Sequence, residues 1–435
     1  MSKESLCQTP ILNTLEEYLS KNPIRMHVPF HSGISNNNIF PKDLYKLDIS
    51  EVSGYDTEGK DNPIYKSEKI TADCFGVEHS FYLTGGASVG LLAALIVLRK
   101  HGKKVLLARN VHKSVVNGVI LAGLEPLWIE VDFLPKWGVF SKVNLEKFKK
   151  SIKNNLDIAG CVIVSPTYEG VISDVGEISN LCHLNNIPLI VDEAHGGHLY
   201  FLNNKDLKSA IQLGADLVVQ SWHKSLGSLT QSGVLHLTKN KFFTYNDLKR
   251  SLDLVSSTSP SFLLLLSLEL TRKHVVLTKG EYFNGLYLNS TIFRNELNKI
   301  TGIECFLNQD PFKIYLKSEM FSGIDFAYSL YKDYSIEIES ANDIGLLMLT
   351  GINFNDEVMR GIINAIQKIV ARRDMPWHIS TVTKKSLIPP IPQFKITPQE
   401  AFFAGFKNNE NSDCEYEINA PCPPGYVLQI PGTRK

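Results

Sequence analysis

Short runs of apolar, β-branched residues alternate with longer amphipathic stretches between about residue 67 and residue 237. The short runs are typical of buried strands, and the amphipathic stretches are typical of helices. Strands are predicted at His79–Leu83, Lys104–Ala108, Pro126–Glu130, Gly160–Ser165, Ile187–Val191, Leu217–Gln220 and Gly233–Leu237. Helices are predicted between them at Ser88–His101, Val115–Ala122 and Glu177–Asn185. This order predicts an α/β fold with a mostly parallel sheet wrapped by helices.

The segments on either side of this region predict an N-terminal segment, a long helix and a second, smaller domain. Further helices are predicted at Leu12–Lys21, at Asp356–Ala371 and as one long helix from Pro260 through Leu297, and further strands at Phe312–Leu316 and Gly345–Thr350. Beyond Arg373 the chain is rich in proline and is expected to pack as an extended arm. We therefore expect an N-terminal segment over 1–66, a large domain over 67–300 and a small α+β domain with an extended tail over 301–435.

Composition and charge exclude several function classes. The 435 residues carry a formal net charge of +0, so no electrostatic attraction favours nucleic acid or an anionic membrane as a partner. The start of the chain lacks the apolar core of a signal peptide. The most apolar stretch, Phe262–Leu268, is interrupted by Glu269 too soon to cross a bilayer. Seven cysteines without a CxxC pair indicate reduced thiols, so a cytoplasmic protein is expected.

The chemistry is indicated by one acid and one amine. Asp192 and Lys224 each fall at or just past the carboxyl end of a predicted strand, which is the edge of an α/β sheet where ligands bind. Pyridoxal phosphate requires a lysine that forms a Schiff base and an acid that keeps the pyridine nitrogen protonated. Either residue alone has an ordinary explanation, as a helix cap or as a solvated lysine. Together they predict a pyridoxal phosphate site.

Three neighbouring motifs bear on the same prediction. Thr84–Gly90 is a glycine-rich turn between a strand and a helix, where free backbone N–H groups can bind phosphate. His112 follows the next strand, where it could lie flat on a pyridine ring or serve a structural role. Ser221 and His223 flank the lysine, and either could reach the phosphate. Each motif is ambiguous alone, and their common place at strand ends favours the cofactor.

Residues around Asp192 also partly match two other kinds of site. The pair His195 and His198 could indicate a metal, but no third ligand completes a set, so no metal site is predicted. The segment Asp192–His195 also matches the acidic box of one helicase group, which requires a phosphate loop upstream. The nearest candidate, Gly54–Asp61, carries an aspartate where a magnesium-binding serine or threonine belongs, so this match is attributed to chance.

The chain resembles the major-domain family of ornithine, lysine and arginine decarboxylases, which are fold type I pyridoxal phosphate enzymes. The resemblance extends from about residue 25 to the end and is carried by Phe75–Val77, Arg109–Ser114, Pro166–Gly170, Val191–His198, Gln220–Ser225, Leu229–Gln231, Ser257–Leu264, Thr397–Phe403 and Pro423–Gly425. It implies a fold type I transferase-like large domain and a smaller α+β C-terminal domain.

The resemblance also implies roles for individual residues. Lys224 would be the Schiff-base lysine, Asp192 the partner of the pyridine nitrogen, and His112 the ring that stacks on the cofactor. These three are the expected catalytic residues. The remaining cofactor-binding residues implied are Ala194 on the other face of the ring, Ser221, His223, Gly86, Ala87 and Ser88 around the phosphate, and His195 and Thr167.

The implied activity is decarboxylation of a basic amino acid, either arginine or lysine and possibly ornithine, to the amine and CO₂ in polyamine biosynthesis. A homodimer or a higher homo-oligomer is expected. Two alternatives remain open, namely another pyridoxal phosphate reaction (an aminotransferase or a β-eliminating lyase) and a cofactor-binding paralogue without turnover. The paralogue is suggested by departures from the family pattern at Pro29–Ser32 and near the C-terminus from Lys407 onward. A further departure lies in the phosphate turn, where Gly86 and Ala87 stand in place of the family's usual hydroxyl residues.

Overall fold

A computed structural model of the chain describes residues 2–25, 29, 31–34, 41–50, 52, 59, 61–278, 280–372, 391–405, 414–423 and 425–434. Most of the candidate phosphate loop at 54–61, Phe30 of the N-terminal departure and residues 407–413 of the C-terminal departure lie outside the described residues. Among the described residues, no helix has the length and hydropathy that a membrane span needs.

The described residues form strands and helices in the following order. The strands are β1 His79–Leu83, β2 Lys104–Ala108, β3 Glu125–Ile129, β4 Val131–Leu134, β5 Val139–Val143, β6 Ile158–Val164, β7 Leu189–Asp192, β8 Leu217–Gln220, β9 Gly233–Leu237, β10 Ile303–Cys305, β11 Lys313–Ser318, β12 Ser340–Ala341 and β13 Leu346–Leu349. The helices are α1 Lys3–Leu6, α2 Pro10–Ser20, α3 Lys42–Leu47, α4 Pro63–Phe75, α5 Gly86–Leu98, α6 Lys113–Ala122, α7 Leu145–Asn154, α8 Val175–Leu184, α9 Trp222–Ser225, α10 Tyr245–Val255, α11 Phe262–Thr278, α12 Glu281–Leu297, α13 Gly323–Tyr334, α14 Asp356–Val370 and α15 Pro398–Gly405, with a short 3-10 helix at Gly197–Phe201.

The large domain is built on a seven-stranded sheet in the order β1-β9-β8-β7-β6-β2-β3. Only β9 is antiparallel to its neighbours, so the other six strands point the same way. Every residue of β1, β7, β8 and β9 is buried, as expected for strands covered on both faces. The predicted mostly parallel α/β sheet is confirmed, and four of its strands have the predicted bounds.

The expectation of one long helix between residues 260 and 297 is wrong. Two helices occupy this segment, α11 and α12, and they are separated at Gly280. Gly280 has a φ of 73°, in the left-handed region that glycine adopts most readily. A Cβ atom built there would lie 2.6 Å from the carbonyl oxygen of Phe201. The periodicity of apolar residues continues through this segment. The backbone nevertheless turns at Gly280, because Gly280 packs closely against Phe201 of the 3-10 helix.

The small domain is a four-stranded antiparallel sheet in the order β10-β11-β13-β12. Apolar residues of β11 and β13 share one buried cluster with α11, α12, α13 and α14, which joins the small domain to the large one. The C-terminal tail packs on the large domain, where Val427 and Ile430 contact Val116 and Ile120 of α6. Both the small domain and the tail therefore approach the central sheet.

A buried carboxylate attaches the N-terminal helix α2 to α11. Glu269 is fully buried, and its two oxygens accept hydrogen bonds from the backbone N–H groups of Ile11 (3.1 Å) and Leu12 (2.9 Å). These N–H groups lie in the first turn of α2, where a helix has no internal acceptors, and Thr9 makes no side-chain cap there. Glu269 also lies 3.9 Å from the buried guanidinium of Arg272.

We expect Glu269→Ala to lower the free energy of unfolding by about 3 kcal/mol, because it removes the carboxylate that accepts the backbone N–H groups of Ile11 and Leu12 and that faces the buried guanidinium of Arg272. Denaturant unfolding followed by circular dichroism measures this loss. Glu281→Ala is the matched control, since Glu281 is an exposed acid in the first turn of α12. Equal stability of the two variants would contradict the structural role of Glu269.

Candidate active site

The turns that follow β1, β2, β6, β7 and β8 meet around one cavity of about 450 Å³ at the carboxyl edge of the sheet. Strands that point the same way deliver their following turns to the same edge, and this edge is where α/β proteins bind ligands. The volume is in the range of small-molecule sites. A second cavity of about 280 Å³ adjoins it and shares His195, His223 and Lys224 with it.

All of the predicted site residues except Thr167 line the main cavity, namely Gly86, Ala87, Ser88, His112, Asp192, Ala194, His195, Ser221, His223 and Lys224. Thr167 is fully buried beside the cavity, and its hydroxyl accepts a hydrogen bond from the backbone N–H of Val171 at 3.1 Å. Thr167 therefore shapes the turn whose neighbouring residues, Pro166 and Tyr168, do line the cavity.

Asp192 is the last residue of β7 and is almost completely buried. Its Oδ1 accepts the backbone N–H of Ala194 at 3.1 Å, and no other described residue hydrogen-bonds the carboxylate. Burial raises the pKa of Asp192 to about 6, against the opposing effects of the Ala194 hydrogen bond and of Lys224. A cation placed against the carboxylate would stabilise its ionised form and lower that pKa again.

Lys224 lies in α9, the short helix after β8, on the same cavity as Asp192. Its Nζ lies 3.3 Å from Nε2 of His195, which belongs to the turn after β7. Both residues also line the second cavity. The amine is therefore exposed to a ligand in either cavity while it contacts an imidazole.

The amino-terminal end of α5 provides donors for an anion. Gly85 is the N-cap of this helix. Because glycine has no side chain, it offers no side-chain acceptor to the first N–H groups of the helix, at Gly86, Ala87 and Ser88. Ser221 and His223 face the same cavity. His223 Nδ1 lies 3.0 Å from the carbonyl oxygen of Ser232 and must donate to it, which leaves Nε2 for a ligand.

His112 has a fixed orientation at the cavity wall. It is the N-cap of α6, and its Nδ1 accepts the backbone N–H of Ser114 at 3.2 Å. Burial lowers its pKa to about 4, with further lowering by Lys224 and Lys113. His112 is therefore a neutral imidazole at neutral pH. Gly425 of the C-terminal tail packs against the same ring.

Two residues at the site were missed by the sequence analysis. Tyr426, from the tail, lines the main cavity, and its hydroxyl donates to Glu169 Oε2 at 3.0 Å. Lys313, the first residue of β11 in the small domain, lines the second cavity, and its Nζ lies 2.7 Å from Nδ1 of His195. The sequence does contain a feature that could have indicated each residue. Lys313 is a charged residue inside an apolar strand, and Tyr426 directly follows the Pro423–Gly425 motif.

These residues fit pyridoxal phosphate. The amine of Lys224 can meet its aldehyde, and the Asp192 carboxylate lacks the cationic partner that a protonated pyridine nitrogen would supply. The uncapped start of α5 suits the phosphate. Asn110 Oδ1, on the same cavity, is buried without a hydrogen-bond partner among the described residues. In the described part of the chain, no three metal-ligating side chains converge, and His198 instead contacts Asp310 at 3.0 Å.

Comparisons with known proteins all point to one family of amino acid decarboxylases. The family described as "Orn/Lys/Arg decarboxylase, major domain" matches residues 9–417. The chain is 27% identical to an arginine decarboxylase of Bacillus subtilis over 447 residues, which cover 98% of this chain and 91% of that protein. It is 28% identical to an arginine decarboxylase of Bacillus cereus over 451 residues, which cover 98% of this chain and 96% of that protein.

Solved structures share the fold at lower sequence identity. The lysine decarboxylase A from Pseudomonas aeruginosa matches with a TM-score of 0.83 at 16% identity, covering 99% of this chain and 74% of that one. The constitutive lysine decarboxylase of E. coli matches with a TM-score of 0.80 at 16% identity, covering 98% of this chain and 76% of that one. At this identity the likeness shows the fold.

We expect Gly425→Ala to push the His112 ring into the cavity, because a Cβ at residue 425 would lie 2.5 Å from Cδ2 of His112. The expected result is an affinity for pyridoxal phosphate weakened about tenfold, as for a shift of roughly 1.4 kcal/mol, measured by fluorescence titration of the cofactor-free protein.

Gly302→Ala is the matched control for this substitution. Gly302 has a φ of 82°, close to the 81° of Gly425, and a Cβ there would meet nothing within 4 Å. Both variants therefore carry the same backbone strain, and only Gly425→Ala crowds the imidazole. Equal cofactor affinity of the two variants would show that the packing of Gly425 does not position His112.

Proposed function

The chain belongs to the Orn/Lys/Arg decarboxylase family and is a pyridoxal phosphate-dependent enzyme that decarboxylates a basic amino acid, and we propose that its substrate is arginine. The arginine decarboxylases of two Bacillus species support this choice, because the similarity to them runs through 98% of this chain. We further propose that the product, agmatine, enters polyamine synthesis and that the enzyme acts in the cytoplasm.

The observation that carries the proposal is the arrangement of Lys224, Asp192 and the start of α5 around a single cavity. Pyridoxal phosphate supplies an aldehyde that takes up the substrate amine and a ring that withdraws the electrons left when CO₂ departs. We propose that Lys224 holds the cofactor covalently and that Asp192 keeps the ring nitrogen cationic. The N–H groups at Gly86, Ala87 and Ser88 would bind the phosphate.

The remaining side chains would orient and shield the reacting atoms. We propose that His112 stacks on one face of the ring, which its neutral state and fixed orientation favour, and that Ala194 packs on the other face. Holding the scissile bond in one orientation is what directs the reaction toward loss of CO₂. Tyr426 and Tyr168 line the same cavity and would exclude water from it.

A transaminase is disfavoured by the cavity walls. Transaminases usually hold the substrate α-carboxylate with an arginine of the small domain. Among the described residues that line either cavity, none is an arginine. A non-catalytic paralogue is not favoured by any feature of the described cavity, since the amine, the acid and the helix start are all present there.

We propose that the active form is a homodimer. Among the described residues that line either cavity, Asp192 is the only carboxylate. A substrate guanidinium needs an anionic partner when it leaves water, and Asp192 is assigned to the cofactor ring. A second copy of the chain would supply that partner.

We expect purified, cofactor-loaded protein to release CO₂ and agmatine from arginine, with kcat/KM at least about tenfold above that for lysine or ornithine, a discrimination of roughly 1.4 kcal/mol. Trapped CO₂ and chromatography of the amine products measure this. Formation of a keto acid would indicate a transaminase. Bound cofactor without CO₂ from any of the three substrates would indicate the paralogue.

Two substitutions test the roles of the acid and the amine in the same assay. Lys224→Ala is expected to abolish both activity and borohydride labelling by the cofactor, while Lys113→Ala, an exposed lysine nearby, leaves both intact. Asp192→Asn is expected to retain labelling and lower kcat about a hundredfold or more, since about 3 kcal/mol is lost when a buried charge pair loses one partner. Labelling of Lys224→Ala would refute the assignment of the Schiff-base lysine.

Sedimentation velocity is expected to show a species of twice the 48.7 kDa chain mass at concentrations where the enzyme is active. Dilution below the dissociation constant should abolish activity together with the dimer. An active monomer would contradict the homodimer and assign the substrate-binding carboxylate to residues outside the described part of the chain.

A further inference from the structure

A chain of three nitrogen-bearing side chains connects the small domain to the amine of Lys224. Lys313 Nζ lies 2.7 Å from His195 Nδ1, and His195 Nε2 lies 3.3 Å from Lys224 Nζ. Lys313 is the first residue of β11, and only 3% of it is exposed. A lysine buried this deeply and aimed at an imidazole calls for an explanation beyond packing, because burying an ammonium group is costly.

Hydrogen-bond chemistry determines which nitrogen of His195 carries its proton. An ammonium group has three donors and no acceptor, so Lys313 can only donate to Nδ1. A neutral imidazole that accepts at Nδ1 carries its hydrogen on Nε2. That hydrogen points at Nζ of Lys224, which can accept it only as the free amine. The free amine is the form that attacks an aldehyde.

The charged groups around Lys313, His195 and Lys224 are consistent with a cationic Lys313 and a neutral His195. Burial lowers the pKa of Lys313 to about 8, opposed by Asp310, Glu339 and Glu169 and assisted by Lys224, so the residue is still an ammonium at neutral pH. The Tyr168 ring lies 5.9 Å from Nζ of Lys313, at the limit of a cation–π contact.

His195 has no acidic group among the charges that act most strongly on it. Burial lowers its pKa well below the usual value, and the cation of Lys313 lowers it further. The imidazole therefore stays neutral at physiological pH, and only the position of its single proton is left for Lys313 to decide.

We propose that Lys313 is a positioning residue that fixes the Nε2–H tautomer of His195 and thereby holds Lys224 as the free amine that captures the cofactor aldehyde. The inference rests on the proposed function only in taking Lys224 as the Schiff-base lysine. It assigns to the small domain a direct part in preparing the lysine of the large domain.

The test measures capture of pyridoxal phosphate by the cofactor-free protein and needs no substrate. The rate of Schiff-base formation at Lys224 is followed by the yellow absorbance and by borohydride trapping from mildly acidic to alkaline pH. Lys313→Met is expected to slow capture about tenfold at neutral pH, because Lys224 then loses the donor that favours its free amine, and to match the wild type at alkaline pH. A neutral-pH rate equal to that of the wild type would overturn the proposal.

Three further comparisons separate this role from a structural one. Lys313→Arg retains a cationic donor and is expected to restore most of the rate. Lys317→Met is the matched control on the same strand, since Lys317 pairs with Glu304 away from both cavities and its loss should leave the rate unchanged. In a His195→Gln background the Lys313→Met substitution should have no further effect. A persisting tenfold effect there would show that Lys313 does not act through His195.

A measurement on the unsubstituted protein removes any dependence on how well Lys313→Met folds. Nuclear magnetic resonance of protein labelled with nitrogen-15 histidine reports the tautomer of each imidazole, and His195→Gln assigns the signal of His195. The expected state is neutral with the proton on Nε2. Observation of the Nδ1–H tautomer would overturn the proposal. Failure of the wild type to decarboxylate any substrate, with normal cofactor capture, would refute the proposed function and leave this inference standing.

Discussion

The common direction of six strands in the central sheet is the constraint on which the site depends. Because β1, β2, β6, β7 and β8 all end at one edge, five turns that are far apart in the chain meet around one cavity. The apolar residues that bury these strands on both faces keep them in register. Asp192 and Lys224 can therefore serve one small molecule although 32 positions separate them in the sequence.

Burial gives the ionisable groups at this edge their chemical character. Desolvation raises the pKa of Asp192 and lowers those of His112, His195 and Lys313, so each charged form depends on a specific partner. The imidazoles remain neutral, and the Asp192 carboxylate lacks a cation until a ligand provides one. A cofactor with an aldehyde, a basic ring nitrogen and a phosphate satisfies these separate requirements together.

The parts of the chain outside the central sheet complete the cavity. The tail places Gly425 against His112 and Tyr426 against Glu169, and the small domain places Lys313 against His195. Each contact joins a residue after position 300 to a turn of the large domain. Both peripheral parts consequently contact side chains that line the cavities and help to fix their orientation.

The sequence by itself determined the large sheet, the strand ends that carry Asp192 and Lys224, and the glycine-rich start of α5. These features follow from local patterns, since a buried strand must be apolar and a phosphate-binding turn must leave its N–H groups free. Only the tertiary structure decided that Gly280 divides the predicted long helix into two helices and that Thr167 is buried beside the main cavity without lining it. It also decided that Tyr426 lines the main cavity and that Lys313 lines the second one. Each of these outcomes depends on contacts between residues distant along the chain, and hydrophobic periodicity carries no information about which distant side chains meet.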